Sequence, residues 1–141
     1  MRETIALVSC VKQKQQRSAQ ARDLYTSPLF RKMRAYAERF ADRWFILSAK
    51  YGLLDPDTVI EPYEQTLKTT GASARRQWAI RVHGQMAEAG LLQPGVAFLW
   101  LAGRDYQCDL ARLLKGFEQR DPMTGLRFGP RLKWLNQQLH I

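Results

Sequence analysis

Three short stretches of this sequence put nucleophiles, cations and turn residues close enough together to build a site. They are Ser9-Cys10-Val11-Lys12-Gln13-Lys14, Ser48-Ala49-Lys50-Tyr51-Gly52 and Gly103-Arg104-Asp105-Tyr106. Each begins in a small residue and reaches a cation within a few positions. Lys12, Lys14, Lys50 and Arg104 together suit an anion or a developing negative charge. Asp105 adds a carboxylate, and Ser9 and Ser48 add hydroxyls. Cys10 adds a thiol, and a neighbouring Lys12 would favour its reactive form. The plainer reading of Cys10, and of Cys108, is a small buried apolar residue. Ser and Gly at such places also serve as caps and turns, and a lone Lys is usually solvated. Four cations at three equivalent places exceed what that plain reading explains.

Glu61-Pro62-Tyr63 offers a second kind of chemistry. A Tyr can stack on a base and a Glu can accept from its amino or ring N–H groups. The alternative is a Pro-directed turn with Glu61 on the surface and Tyr63 folded onto the core, and both stay open. Arg75, Arg76 and Arg81, like Arg31, Lys32 and Arg34, open helical stretches and read as solvated faces or phosphate contacts.

Several chemistries are excluded. The sequence has no glycine fingerprint for dinucleotides and no Walker loop. Its two histidines, His83 and His140, read as structural, with no zinc-ligand spacing and no basis for a Ser-His-Asp triad. No metal and no cofactor are expected. Cys10 followed by Arg17-Ser18 approaches the small tyrosine phosphatase pattern, but six residues intervene and none is Gly. A loop that wraps phosphate with its backbone amides needs a fixed length, so that reading fails.

The elements that must position these stretches follow from apolar patterning. Thr4 to Val8, Trp44 to Leu47 and Val96 to Leu101 are short, continuously apolar runs, as expected of parallel strands covered on both faces. Leu29, Phe30, Met33, Ala37 and Phe40 recur at helical spacing, after Ser27-Pro28 as cap and first residue. Trp78, Val82 and Met86 form a second stripe closed by Gly90. Leu110, Leu113 and Leu114 form a third closed by Gly116. A last short helix after Gly129-Pro130 carries Leu132, Leu135 and Leu139. The order β-α-β-α-β-α predicts one α/β domain over residues 1–141, a three-layer α/β/α open parallel sheet of three or four strands. The fourth strand is sought at Thr58 to Ile60 or Leu126 to Phe128. Trp44, Trp78, Trp100 and Trp134 are expected in the core. In such a sheet the ligand lies beyond the carboxyl ends of the strands, where all three polar stretches stand. The long connection from Lys50 to Gly71 is of a length usually functional or mobile.

Composition narrows the partner. The chain has 141 residues, enough for one domain with a real core. Its 45% hydrophobic content argues against a disordered chain. Two cysteines exclude a disulfide scaffold. No apolar run reaches a membrane span and the start lacks a signal-peptide pattern, so a cytoplasmic protein without a membrane partner is expected. Twenty-two basic against thirteen acidic residues give a formal net charge of +9. The charge is dispersed, without a basic tail, and favours nucleic acid, DNA or tRNA, as partner. The oligomeric state is not legible.

Five motifs in order then carry a resemblance: Leu7 to Lys14, Ala21 to Phe30, Leu47 to Leu54, Glu61 to Tyr63 and Ala102 to Tyr106. Together they resemble a domain-of-unknown-function family of small bacterial and phage proteins, over Leu7 to about Leu135. The Ser-Cys-x-Lys strand end is similar to one in the domain of archaeosine synthase and archaeal tRNA-guanine transglycosylase. That group is related in fold to uracil-DNA glycosylases. The resemblance implies a uracil-DNA-glycosylase-like fold and an N-glycosylase-like activity that excises or exchanges a modified base. The chain departs from the glycosylases at two places. Ser9 to Lys12 stands where they carry a water-activating acid, and no His lies within Gly103 to Tyr106.

The resemblance therefore implies a different set of parts. The catalytic candidates are Ser9, Cys10, Lys12, Lys50 and Asp105. A Lys would stabilise the departing base or attack the sugar, and Asp105 or Glu61 would support the oxocarbenium-like state. The base- or phosphate-binding candidates are Lys14, Ser48, Tyr51, Gly52, Glu61, Tyr63, Gly103, Arg104 and Tyr106. Two alternatives stay open: a non-catalytic module that recognises a modified base or a single strand, and a small-molecule nucleoside or nucleotide enzyme.

Overall fold

A computed structural model describes residues 2–9 and 14–140. Its main sheet has five strands in the order β4-β3-β1-β6-β7. These are β1 (Glu3–Ser9), β3 (Arg43–Ser48), β4 (Gly52–Leu54), β6 (Val96–Leu101) and β7 (Glu118–Arg120). A separate two-stranded ribbon joins β2 (Ala19–Gln20) to β5 (Val59–Ile60). The helices are α1 (Ala21–Leu24), α2 (Pro28–Phe40), α3 (Ala72–Glu88), α4 (Arg104–Leu113) and α5 (Phe128–Leu139).

The three apolar runs form the centre, as their composition requires. β1 pairs in parallel with β3 on one side and β6 on the other. All six residues of β6 are buried. Successive strand side chains point to opposite faces, so unbroken burial means that both faces are covered. Right-handed crossovers put the helix after β1 on one face and those after β3 and β6 on the other. The packing agrees, with α2 against α5 and α3 against α4.

Local signals fix the helix ends. Ser27 Oγ accepts the Phe30 N–H at 3.1 Å and Pro28 opens α2. At the end of α3, Gly90 has φ +74° and the Leu91 N–H reaches the Met86 carbonyl at 3.0 Å. This is a Schellman closure that needs the left-handed residue.

The edges differ from expectation. The fourth parallel strand is β7, paired with β6, and the fifth is β4, antiparallel to β3. Val59–Ile60 is a strand, but it pairs with Ala19–Gln20 outside the main sheet. The Leu126 to Phe128 alternative is not a strand, since Phe128 already begins α5. Both missed strands are three residues long, β4 too short for its two leucines to stand out and β7 wholly polar. β7 is held instead through Gln119, which accepts from Trp100 Nε1 at 2.9 Å and donates to the Ala111 and Leu114 carbonyls.

Three further expectations are corrected. Trp78 and Trp100 are buried, but Trp44 and Trp134 are only half-buried against the core. Cys108 is exposed, because it lies off the Tyr106–Leu110 stripe that α4 buries. Leu113 is likewise 40% exposed, leaving Leu110 and Leu114 as the buried pair.

Candidate functional site

Chain direction within the sheet locates the site. From β1 the chain crosses to β3 on one side, and the next parallel strand, β6, returns on the other side of β1. The connections leaving β1 and β6 therefore run to opposite faces and open a crevice at the carboxyl ends of these two strands. Ser9 ends β1 there and Gly103 follows β6. Ser9 Oγ accepts the Gly103 N–H at 3.1 Å and so ties the strand end to the start of α4.

A cleft of about 340 Å³ opens at this point. Its walls are Ser9 and Lys14, the loop 64–69, the first turn of α4 with Gly103, Arg104, Asp105 and Tyr106, Leu29 and Met33 of α2, and Arg131 of α5. Lys14, Lys68, Arg104 and Arg131 supply cations, and Glu64 and Asp105 supply carboxylates. Among the described residues, Lys68, Arg104 and Arg131 enter no ion pair, nor do Glu64 and Asp105. Asp105 stands in the first turn of α4, where the exposed amides favour negative charge. The buried Tyr106 ring meets Trp78 edge-on at 5.6 Å, and its hydroxyl accepts the Leu67 N–H at 3.4 Å. Tyr106 thereby anchors the 64–69 loop to α4.

The other strand end is built differently. After Ser48 the chain turns back antiparallel as β4. Ser48 is fully buried; its Oγ shares a 2.7 Å hydrogen bond with the Tyr63 hydroxyl and accepts the Tyr51 N–H at 3.1 Å. The Tyr63 hydroxyl also meets that of Tyr25. Trp78 Nε1 donates to the Ser48 carbonyl at 2.8 Å. Gly52 has φ +75°, and a Cβ there would collide with Gln85 Oε1. The same Gln85 side chain accepts from Leu53 N and donates to the Tyr51 carbonyl. Here the polar residues hold one another and close the surface.

The structure thus brings together Ser9, Lys14, Gly103, Arg104, Asp105 and Tyr106. Ser48, Lys50, Tyr51, Gly52, Glu61 and Tyr63 do not line the cleft. Glu61 is exposed and Tyr63 buried. Lys50 is exposed, with Nζ 5.2 Å from the Tyr51 ring centroid. Tyr63 reaches the cleft only indirectly, because Lys14 Nζ lies 4.6 Å over its ring. Cys10 and Lys12 lie outside the described residues. Sequence reasoning missed Leu29, Met33, Glu64, Lys68 and Arg131. The first two read as ordinary core positions, and nothing local marks the others.

A model of a protein family described as "Family of unknown function (DUF6884)" matches residues 5–137. The chain belongs to this family. A curated relative, the uncharacterized protein YfjM of Bacillus subtilis (strain 168), is 40% identical over 65 residues. The match covers 41% of this chain and 43% of that protein, so the chain spans less than half of the relative it matches. The DUF6884 match takes in every residue that walls the cleft. No helix among the described residues is long and apolar enough to cross a membrane. No group of three or more His, Cys, Asp or Glu among the described residues is placed to hold a metal ion.

Proposed function

We propose that this protein binds nucleic acid, takes one unpaired nucleotide into the cleft between the β1 and β6 ends, and cleaves the bond between its base and its sugar. The observation that carries this reading is the composition of the cleft: cations, two carboxylates and an apolar wall converging at the topological switch point of a basic protein. Lys68, Arg104 and Arg131 suit phosphate oxygens on either side of the entering nucleotide. Leu29 and Met33 offer an apolar wall for a base extruded from its stack.

Asp105 is the residue to stabilise the oxocarbenium-like sugar or to orient water toward it. The C1′–N bond breaks with its electron pair leaving on the base, a water oxygen bonds to C1′, and the water's proton ends on the base nitrogen. A cation at the base, Lys14 or (from the sequence alone) Lys12, would stabilise the departing anion. Architectural kinship with uracil-DNA glycosylases, and kinship of the Ser9 to Lys14 segment with the archaeosine synthase domain, belong to this same proposal.

The test is base release. The protein is incubated with single-stranded DNA, base-modified DNA and tRNA, and free base is measured by mass spectrometry, with Asp105→Asn alongside. The expected result is release by the wild type that falls about 100-fold or more in the variant, a size typical of losing a positioned catalytic group, with binding retained. No release from any polymer, with salt-sensitive binding intact, would replace the enzyme with a recognition module. Turnover of free nucleosides without polymer binding would replace both.

A further inference from the structure

The charge of this protein is unevenly divided between its helix layers. α2 carries Arg31, Lys32, Arg34 and Arg39 against Glu38 alone, and α5 carries Arg131 and Lys133 with no acid. This layer therefore holds a net +5 of the chain's +9. In the other layer Arg75, Arg76 and Arg81 of α3 stand against Glu88, and the two arginines and two aspartates of α4 cancel. Its net charge is only +2. Among the described residues, Arg31, Lys32, Arg39, Arg131 and Lys133 enter no ion pair.

The same layer carries a row of aromatic rings. Tyr36 lies 5.2 Å from Trp134 and 4.6 Å from Phe40, centroid to centroid. The Arg39 guanidinium lies 5.3 Å over the Phe40 ring. Phe40 is 47% exposed, a large apolar side chain left open at the end of α2. The row starts at the cleft. Met33 and Arg131 line it, and Tyr36 and Trp134 are each three residues further along their helices, one turn down the same seam. From Met33 to Phe40 the helix advances roughly 10 Å, about three nucleotides at the ~3.4 Å rise of a stacked strand.

Rings with interleaved cations are how proteins hold single-stranded nucleic acid, since every base has a face to stack and every link a phosphate to pair. We propose that the α2–α5 seam is a stacking platform for the single strand that leaves the cleft, with Phe40 its outermost plate. An acidic polymer is the occupant that the surplus of cations calls for, and the rings call for bases on it. This rests on the nucleic-acid reading of the cleft and extends it from one nucleotide to a strand.

The test is equilibrium binding of fluorescein-labelled single strands of two and about twelve nucleotides to the wild type, Phe40→Ala, Phe40→Leu, Phe40→Trp and Arg104→Ala, each checked for native circular dichroism. Loss of a stacking ring should weaken the long strand about fivefold or more in Phe40→Ala and in Phe40→Leu, which keeps apolar bulk without a ring. Phe40→Trp should bind like the wild type, the short strand should be indifferent to residue 40, and Arg104→Ala should weaken both. If the residue-40 variants bind the long strand as the wild type does while Arg104→Ala is weak, the platform is overturned and the cleft reading stands. If the wild type binds neither strand, both fall. If Phe40→Ala instead turns a dimer into a monomer with strand binding unchanged, the face belongs to a second copy and the platform is again overturned.

Discussion

The β1–β6 end and the β3 end of the same sheet begin alike and finish as opposites. Ser9 and Ser48 are both buried serines at the ends of parallel strands, with cations close behind. At β1 the serine accepts one amide, from Gly103, across a crevice whose remaining polar groups face a cleft. At β3 the serine accepts from Tyr51, shares a bond with Tyr63, and its carbonyl takes the Trp78 indole. The difference is topological. β1 and β6 send their connections to opposite faces, which leaves a gap, whereas β3 folds back into β4 and seals its own end. Equivalent residue types therefore line a cleft in one place and hold the architecture in the other.

Substitutions at each end test that contrast. Tyr63→Ala should cost about 3–5 kcal/mol of stability, since it empties a buried aromatic position and strips hydroxyl partners from Ser48 and Tyr25. Urea unfolding measures it, and a loss under 1 kcal/mol would show that the β3 end is not the structural one. Arg104→Ala should weaken single-strand binding by roughly tenfold or more, the scale of a hydrogen bond to a charged group (~1.5–3 kcal/mol). Its unfolding free energy should stay within about 0.5 kcal/mol of the wild type, and its binding should lose about 0.7 of the log–log salt slope. Ser48→Ala should cost about 1–2 kcal/mol of stability, leaving the Tyr63 hydroxyl short of a partner, with binding unchanged. Lys50→Ala should change stability and binding by less than about 0.5 kcal/mol, as expected of an exposed charge away from the cleft. A tenfold binding loss there would move the site to the β3 end.

What the sequence made legible follows from which signals are local. Val96–Leu101 is continuously apolar because it is covered on both faces, and its bounds read directly from the residues. Ser27-Pro28 and Gly90 marked helix ends because capping is decided within a few positions. β4 and β7 escaped, since a three-residue edge strand needs neither length nor an apolar run, and Glu118-Gln119-Arg120 has the charged character that blunts a sheet edge. Six of the cleft's fourteen lining residues were legible, namely Ser9, Lys14 and Gly103 to Tyr106, because strand ends can be found from strands. The others were not. Glu64 and Lys68 sit in a loop that the Tyr106–Leu67 contact helps bring across, and Arg131 arrives on α5, whose packing against α2 no local pattern records. Tyr63 shows the converse: a loop tyrosine that sequence alone left open to stacking is spent on a buried hydroxyl network.

The most direct test is a residue-resolved titration of the 15N-labelled protein with a short single-stranded oligonucleotide, following backbone amide shifts. Binding in the β1–β6 cleft predicts that the amides of Gly103, Arg104 and Asp105, with those of Thr66 and Lys68, move while those of Lys50, Tyr51 and Gly52 stay still. Movement at Lys50 to Gly52 with Gly103 to Asp105 unmoved would contradict it.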